Sequence, residues 1–311
     1  MKRGFLLAAC LVLLASGVSS PRVTDAPAVP QRDTEARQPG EREVIALEAA
    51  WPGRILETRY RDGDWMLRID DTWFAWAHGR LLPEAEAADW RQFASLPFYP
   101  YPLSLPPLAA LDDQTAVRLR QGVRDRQKNP PRRSEEFLSL LLQASRRTGI
   151  EDRLARVEVA GFSLTVHEVL TEPLGRVSDE LYALRRANPE INAFLGGLRE
   201  MNGYNYRYVE GTRSRSLHSY GLAVDLIPRS YHGRSPYWLW AMGTLPDWWA
   251  IPYEKRWIVP PGIVEAFERQ GFVWGGKWLY FDTMHFEYRP DILVLARDNA
   301  PAVPTALEQQ S

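Results

Sequence analysis

Two short polar segments in the C-terminal half restrict the folds open to this 311-residue chain more than anything else in it. The first is Ser216-Leu217-His218-Ser219-Tyr220-Gly221-Leu222-Ala223-Val224-Asp225. The second, Asp282-Thr283-Met284-His285-Phe286-Glu287, begins 57 residues after Asp225. Two imidazoles and one carboxylate suit a catalytic zinc, which takes three protein ligands and keeps a fourth position open. A chain using them so must bring a turn with His218, the strand behind it and a second strand with His285 to one point. Gly221 and Ala223 are small, so backbone can pass close to that point without filling it. His285 and Glu287 are two apart on a predicted strand and share a face. That makes Glu287 a candidate to fix a ligand imidazole. Asp282, three residues before His285, can reach the same point without being a ligand.

The N-terminus reads as an address. Lys2 and Arg3 precede an apolar run from Phe5 to Ala15, which ends in Ser16-Gly17-Val18-Ser19-Ser20. This is the pattern of a secretory signal, too short for a stop-transfer helix. The expected localisation is exported, periplasmic or extracellular, with no transmembrane segment in the mature chain. Leu7-Ala8-Ala9-Cys10 also looks like a lipoprotein box, an alternative in which Cys10 carries lipid. Cys10 is the sole cysteine, so neither an intrachain disulfide nor a cysteine-rich metal knuckle is available. Basic and acidic residues number 38 and 39, which leaves no overall basic field to attract nucleic acid.

Composition shifts divide the rest. After the signal at 1–20, residues 21–43 are rich in proline and charge and are expected to be a flexible linker. Residues 44–150 are expected to hold a three-stranded β-meander at 55–77, turned by Asp62-Gly63 and Asp70-Asp71, and then two helices. One begins near Asp112; the other runs from a Ser134 cap to Gly149, with Arg146 and Arg147 in its last turn. Prolines at 97, 100, 102, 106 and 107 break the chain between meander and helices. Residues 151–298 read as α+β. Strands are predicted at 157–167, 206–209, 223–227 and 285–288, and helices at 178–186, 189–201 and 261–270. Residues 299–311 read as a frayed tail.

The two polar segments resemble the zinc D-alanyl-D-alanine carboxypeptidase family, also called VanY-like, which includes L-alanyl-D-glutamate endopeptidases. The family pattern is Ser-x-His-x-x-Gly-x-Ala-x-Asp followed by acid-x-x-His. Ser216, His218, Gly221, Ala223 and Asp225 match its first part, and Asp282 and His285 its second. Gly271-Phe272-Val273-Trp274-Gly275-Gly276-Lys277-Trp278 resembles a run that precedes the second part in many relatives. The resemblance spans the C-terminal half and is silent on residues 44–150. It implies an α+β fold, a small antiparallel sheet with flanking helices, the core shared with the hedgehog signalling domain. It also implies a Zn²⁺ cofactor held by His218, Asp225 and His285, with Asp282 as catalytic acid/base. An arginine upstream of the first histidine meets substrate in that family, and Arg207 and Arg213 both qualify. The implied activity is metal-assisted hydrolysis of peptidoglycan stem peptides, as a carboxypeptidase, an endopeptidase or a D-Ala-D-Ala dipeptidase. A non-catalytic zinc module that binds cell wall or protein is the rival from another class. No Ser-x-x-Lys or Gly-x-Ser-x-Gly occurs, which disfavours a serine peptidase.

Other residues carry bland readings beside sharp ones. His78 and His167 lack companions and read as structural. Ser216, Trp274 and His232 are candidates to stand beside the ligands or along the substrate path. Trp238, Trp240, Trp248, Trp249 and Trp257 read equally well as an aromatic wall or as core.

Overall fold

Asp-Gly turns and alternating side chains build the first sheet. The computed structural model describes residues 38–144 and 147–298. After a helix at Glu41–Ala50, strands β1 (Ile55–Arg61), β2 (Asp64–Ile69), β3 (Thr72–Ala75) and β4 (Leu82–Pro83) pair in that order. Asp62 and Gly63 turn β1 into β2 with φ of 56° and 87°. Both lie in the left-handed region that a tight hairpin demands and that Asp and Gly tolerate. The expected meander is therefore present, with a short fourth strand added. The helix at Glu41 starts inside the expected 21–43 linker. The signal at 1–20 with Cys10, the linker up to residue 37, Arg146 and the tail at 299–311 lie outside the described residues.

Capping chemistry places the helices. Asp112 accepts from the backbone N–H of Thr115 at 2.8 Å and opens the helix Asp113–Lys128, a cap worth about 1 kcal/mol. The single helix expected from Ser134 to Gly149 is instead two, Glu136–Leu141 and Arg147–Glu151. Gln143, at φ 57°, interrupts the run. The strand expected at 157–167 is a hairpin of β5 (Leu154–Val159) and β6 (Phe162–His167). It turns at Ala160 and Gly161, whose φ values are 50° and 92°. The helix Thr171–Ala187 begins well before residue 178, and Asn188 caps Pro189–Gly197. The Gly196-Gly197 pair ends that helix earlier than expected, and Leu198–Asn202 becomes β7. The strand expected at 206–209 reduces to one bridge between Tyr208 and Arg215.

The second sheet follows with β8 (Ala223–Pro228), β9 (Phe272–Trp274) and β10 (His285–Tyr288), in the order β7-β8-β10-β9, all antiparallel. His285 lies opposite Asp225, Phe286 opposite Val224 and Glu287 opposite Ala223. The pleat sends neighbours to opposite faces. Phe286 therefore points into the core, fully buried and stacked on Phe267 of the helix Pro261–Arg269 at 4.2 Å between centroids. Burying such a ring contributes roughly 1.5–3 kcal/mol. One core joins the two halves, from Val44 and Leu47 to Phe267 and Phe286. No helix among the described residues is long and apolar enough to cross a membrane.

Residues 97–107 have no regular structure, yet residues of the second sheet and its loops, including the Trp274 backbone N–H, strap the start of this segment down. Arg289 donates to the Pro97 carbonyl at 3.0 Å while paired with Asp291 at 2.7 Å. Trp274 N–H donates to the Tyr101 hydroxyl at 2.9 Å. Lys277 Nζ donates to the carbonyls of Pro102 at 3.0 Å and Leu103 at 2.9 Å, and to Glu268 at 2.7 Å. Arg289 and Asp291 are both buried, so Asp291→Ala strands a charge in the core. We expect a loss of about 3–5 kcal/mol, read as a fall in the urea unfolding midpoint.

Candidate metal centre

Local backbone chemistry places the first ligand candidate. His218 lies in a short 3-10 turn, Leu217–Tyr220, and the Ser216 hydroxyl accepts from its backbone N–H at 3.3 Å. Gly221 ends the turn at φ 67°, and a Cβ there would stand 2.4 Å from the His167 nitrogen. Glycine alone meets both demands. The chain then enters β8, whose third residue is Asp225, directly across from His285.

These three side chains meet. His218 Nε2 is 3.1 Å from Asp225 Oδ2 and 3.2 Å from His285 Nδ1, and His285 Nδ1 is 2.9 Å from Asp225 Oδ1. The far ring nitrogens are occupied. His218 Nδ1 donates to the Gly203 carbonyl at 2.6 Å, and His285 Nε2 donates to Glu287 Oε2 at 3.4 Å. That network assigns the tautomers. With His285 deprotonated at Nδ1, it turns two imidazole lone pairs and a carboxylate toward one point. Such convergence of acceptors is costly without a cation. Tetrahedral zinc with ligands at roughly 2.0–2.2 Å sets its donors about 3.3–3.6 Å apart, slightly wider than the 2.9–3.2 Å found here. Asp282 Oδ1 is buried beside them and finds no hydrogen-bond partner among the described residues. The residues thus fit a zinc ion.

Electrostatics agree. Burial alone would raise the Asp225 carboxyl, but His218 and His285 hold it well below the usual carboxylate range. Burial opposes charge on His285, yet hydrogen bonds to Asp225 and Glu287 win and hold its pKa up at about 10. Glu287 is lowered in spite of burial, by its bond to His285. Burial pushes Asp282 up to about 7, against the pull of His285 and with a push from Asp225.

The remaining candidates separate. Arg207 Nη2 lies 3.9 Å from Asp225 Oδ2 with its side chain 44% exposed. Arg213 is elsewhere, its guanidinium against the Pro130 carbonyl at 3.5 Å. Ser216 and Glu287 line a cleft of about 910 Å³ together with Arg207, Asp225, Asp282 and His285. Trp274 stands behind it, donating to the Thr283 carbonyl at 2.9 Å and so bracing the turn from Asp282 to His285. His232 is exposed on a turn at φ 49° and does not line the cleft. His167 is structural in its contacts: Nδ1 accepts from Val169 N–H and Nε2 faces the Leu142 carbonyl. Trp238, Trp248, Trp249 and Trp257 are buried, and Trp240, 58% exposed, stands at the cleft.

Sequence reasoning missed Arg215, which is buried, donates to the Ser219 carbonyl at 2.9 Å and lies 4.3 Å over the Tyr220 ring. It missed Tyr99, Arg126 and Arg133, which line the same cleft from the N-terminal half. No motif marks these residues. A second cavity of about 450 Å³ shares Arg207, His218 and Asp225 with the site.

Comparison with known proteins fits this geometry. Residues 210–288 match a family model described as D-alanyl-D-alanine carboxypeptidase, which supports a peptidase. Residues 43–98 match a domain of unknown function (DUF8518). No curated protein and no solved structure matches the chain.

The raised His285 pKa has a consequence for stability. A histidine raised from 6.5 stabilises the fold fully below that pH, and the gain is lost as pH climbs through the folded-state value. In chelator-treated protein we expect the His285 ring protons to titrate near pH 10 by NMR. The urea midpoint should fall between about pH 6.5 and 10. Addition of zinc should abolish the titration.

Proposed function

We propose that this chain is a zinc-dependent peptidase that cleaves peptidoglycan stem peptides, acting as a D-alanyl-D-alanine carboxypeptidase. The observation that carries this reading is the meeting of His218 Nε2, Asp225 and His285 Nδ1 within 3.2 Å, beside a buried carboxylate oxygen with no partner among the described residues. The match over residues 210–288 supports peptidase chemistry. His218, Asp225 and His285 would hold the ion. Zinc bound there supplies Lewis acidity, polarising a peptide carbonyl and lowering the pKa of water to about 7.

The protein's own groups do the rest. Asp282 Oδ1 takes a proton from the attacking water and gives it to the departing nitrogen. Burial raises its pKa in the metal-free protein, which favours its carrying a proton. Arg207 reaches over the site from the cleft edge, where its planar fork suits a substrate carboxylate or the developing oxyanion. Arg126 and Arg133 line the same cleft and have no ion pair among the described residues. They favour substrates with further carboxylates, as stem peptides have. The signal-like N-terminus supports an encounter outside the cytoplasmic membrane.

A second reading, an endopeptidase of the L-alanyl-D-glutamate type, is favoured by one observation. The large cleft and the smaller cavity both reach Arg207 and Asp225, which leaves room for chain on either side of the scissile bond.

Purified chain incubated with a stem pentapeptide should release D-alanine, with activity lost to chelator and restored by zinc. Mass spectrometry of the products separates carboxypeptidase from endopeptidase. Absence of any cleavage by zinc-loaded protein would instead favour a non-catalytic zinc module. His218→Ala should abolish zinc binding, measured by metal analysis after dialysis. Asp282→Ala should keep zinc and lose turnover by about 10²–10⁴-fold. Turnover at the wild-type rate would remove Asp282 from the acid/base role.

A further inference from the structure

We infer that Tyr99 is a positioning residue of the metal centre, so that the N-terminal half helps hold a ligand imidazole in place. The link is a chain of contacts across the fold. Glu287 Oε2 accepts from His285 Nε2–H at 3.4 Å, and Glu287 Oε1 accepts from the Tyr99 hydroxyl at 3.4 Å. With both oxygens engaged, the carboxylate cannot rotate freely about its last torsion. A ligand histidine depends on the acceptor at its far nitrogen, which fixes the ring plane and makes the coordinating nitrogen more basic.

The placement of Tyr99 is built. Tyr99 is 188 residues from Glu287 in the chain. It lies between the straps on either side: Arg289 holds the Pro97 carbonyl, and Trp274 N–H holds the Tyr101 hydroxyl. Beyond them Lys277 holds the Pro102 and Leu103 carbonyls. The Tyr99 ring meets Trp278 edge-on at 5.9 Å, and the other side of this contact is the site itself, since Trp278 stands 5.7 Å from the His285 ring. Every strap is a residue of the second sheet or its loops, and of the segment they grip only Pro97 and Phe98 fall within a matched stretch. Tyr99 is one residue past the matched 43–98 stretch and far outside 210–288. The irregular, proline-rich backbone fits this use. It holds Tyr99 over the sheet by side-chain bonds without pairing to a strand.

The inference rests on the reading of His218, Asp225 and His285 as metal ligands, and one experiment distinguishes the two. Zinc dissociation constants are measured by competition with a chromophoric chelator for wild type, Tyr99→Phe, Glu287→Gln and the double variant. Visible absorption spectra are recorded for the Co²⁺-substituted forms. Tyr99→Phe keeps the ring against Trp278 and deletes only the hydroxyl. It should weaken zinc about 10-fold and shift the Co²⁺ bands, with Glu287→Gln weakening it about 10–100-fold. The double variant should bind no more weakly than Glu287→Gln alone, because both act through one link. Far-UV circular dichroism confirms folding, and Tyr99→Leu is the second variant if Tyr99→Phe does not fold. Zinc affinity within about 2-fold of wild type and an unchanged Co²⁺ spectrum in Tyr99→Phe would overturn the inference while leaving the metal reading intact. Additive losses in the double variant would overturn it too. If wild type itself binds no zinc, the metal reading falls and takes this inference with it.

Discussion

Cross-strand pairing of Asp225 with His285 sets the spacing on which the rest of the site depends. The two residues sit opposite each other on β8 and β10, so their side chains project from one face of the sheet. A slip of one residue would send both into the core and bring Val224 and Phe286 to the surface. Phe286, locked between Phe267 and Trp274 on the other face, opposes that slip. The apolar core thus fixes the position of a polar centre on the opposite face of the sheet. The third member, His218, arrives from a turn, and two glycines admit it. Gly221 turns the chain against His167, and Gly203 lies so close to the Thr165 carbonyl that a Cβ would stand 2.1 Å from it. Gly203 also supplies the carbonyl that orients the His218 ring.

Charge explains why so many groups crowd together here. Asp225, Asp282 and Glu287, each half-buried, bring three carboxylates to two imidazoles at the wall of the cleft. Three half-buried negative charges repel one another and lose hydration. Each is answered differently. Asp225 is held ionised by both histidines, and Glu287 by His285. Asp282, with less help, is pushed toward the neutral form. Under the proposed function, that spread of tendencies would separate a metal ligand and an orienting group from a group able to exchange protons near neutral pH. Arg207 contributes from the solvent edge at 3.9 Å, near enough to bias the cleft without quenching Asp225.

The N-terminal half shares a core with the C-terminal half and walls the same cleft. Its meander packs through Leu67, Phe74 and Trp76. Its proline-rich segment carries Tyr99 to Glu287, and the stretch after the helix Asp113–Lys128 contributes Arg133. Phe137, from the short helix behind, stacks edge-on with Phe74 of β3. Packing of this kind makes the shape of the cleft a property of both halves.

How much of this was legible in the chain follows from the range of each interaction. The β-meander, the Asp112 cap, the helix at 261–269 and the strands at Ala223 and His285 follow from local turn chemistry and period. The residues His218, Asp225, Asp282 and His285 stood out because their spacing is itself a local pattern. Local pattern misled where a turn hid inside an apolar run, as at Ala160-Gly161, or where Gly196-Gly197 changed a helix into a strand. Arg207 and Arg213 were indistinguishable as letters. Only the bridge between Tyr208 and Arg215 and the contact of Arg213 with Pro130 set one beside Asp225 and the other away from it. The sequence by itself determined which donor atoms were available and that some lay on strands. The tertiary structure alone decided that Tyr99 reaches Glu287 and that His232 does not line the cleft, because contacts between distant segments depend on the packing of the whole core and leave no local signature.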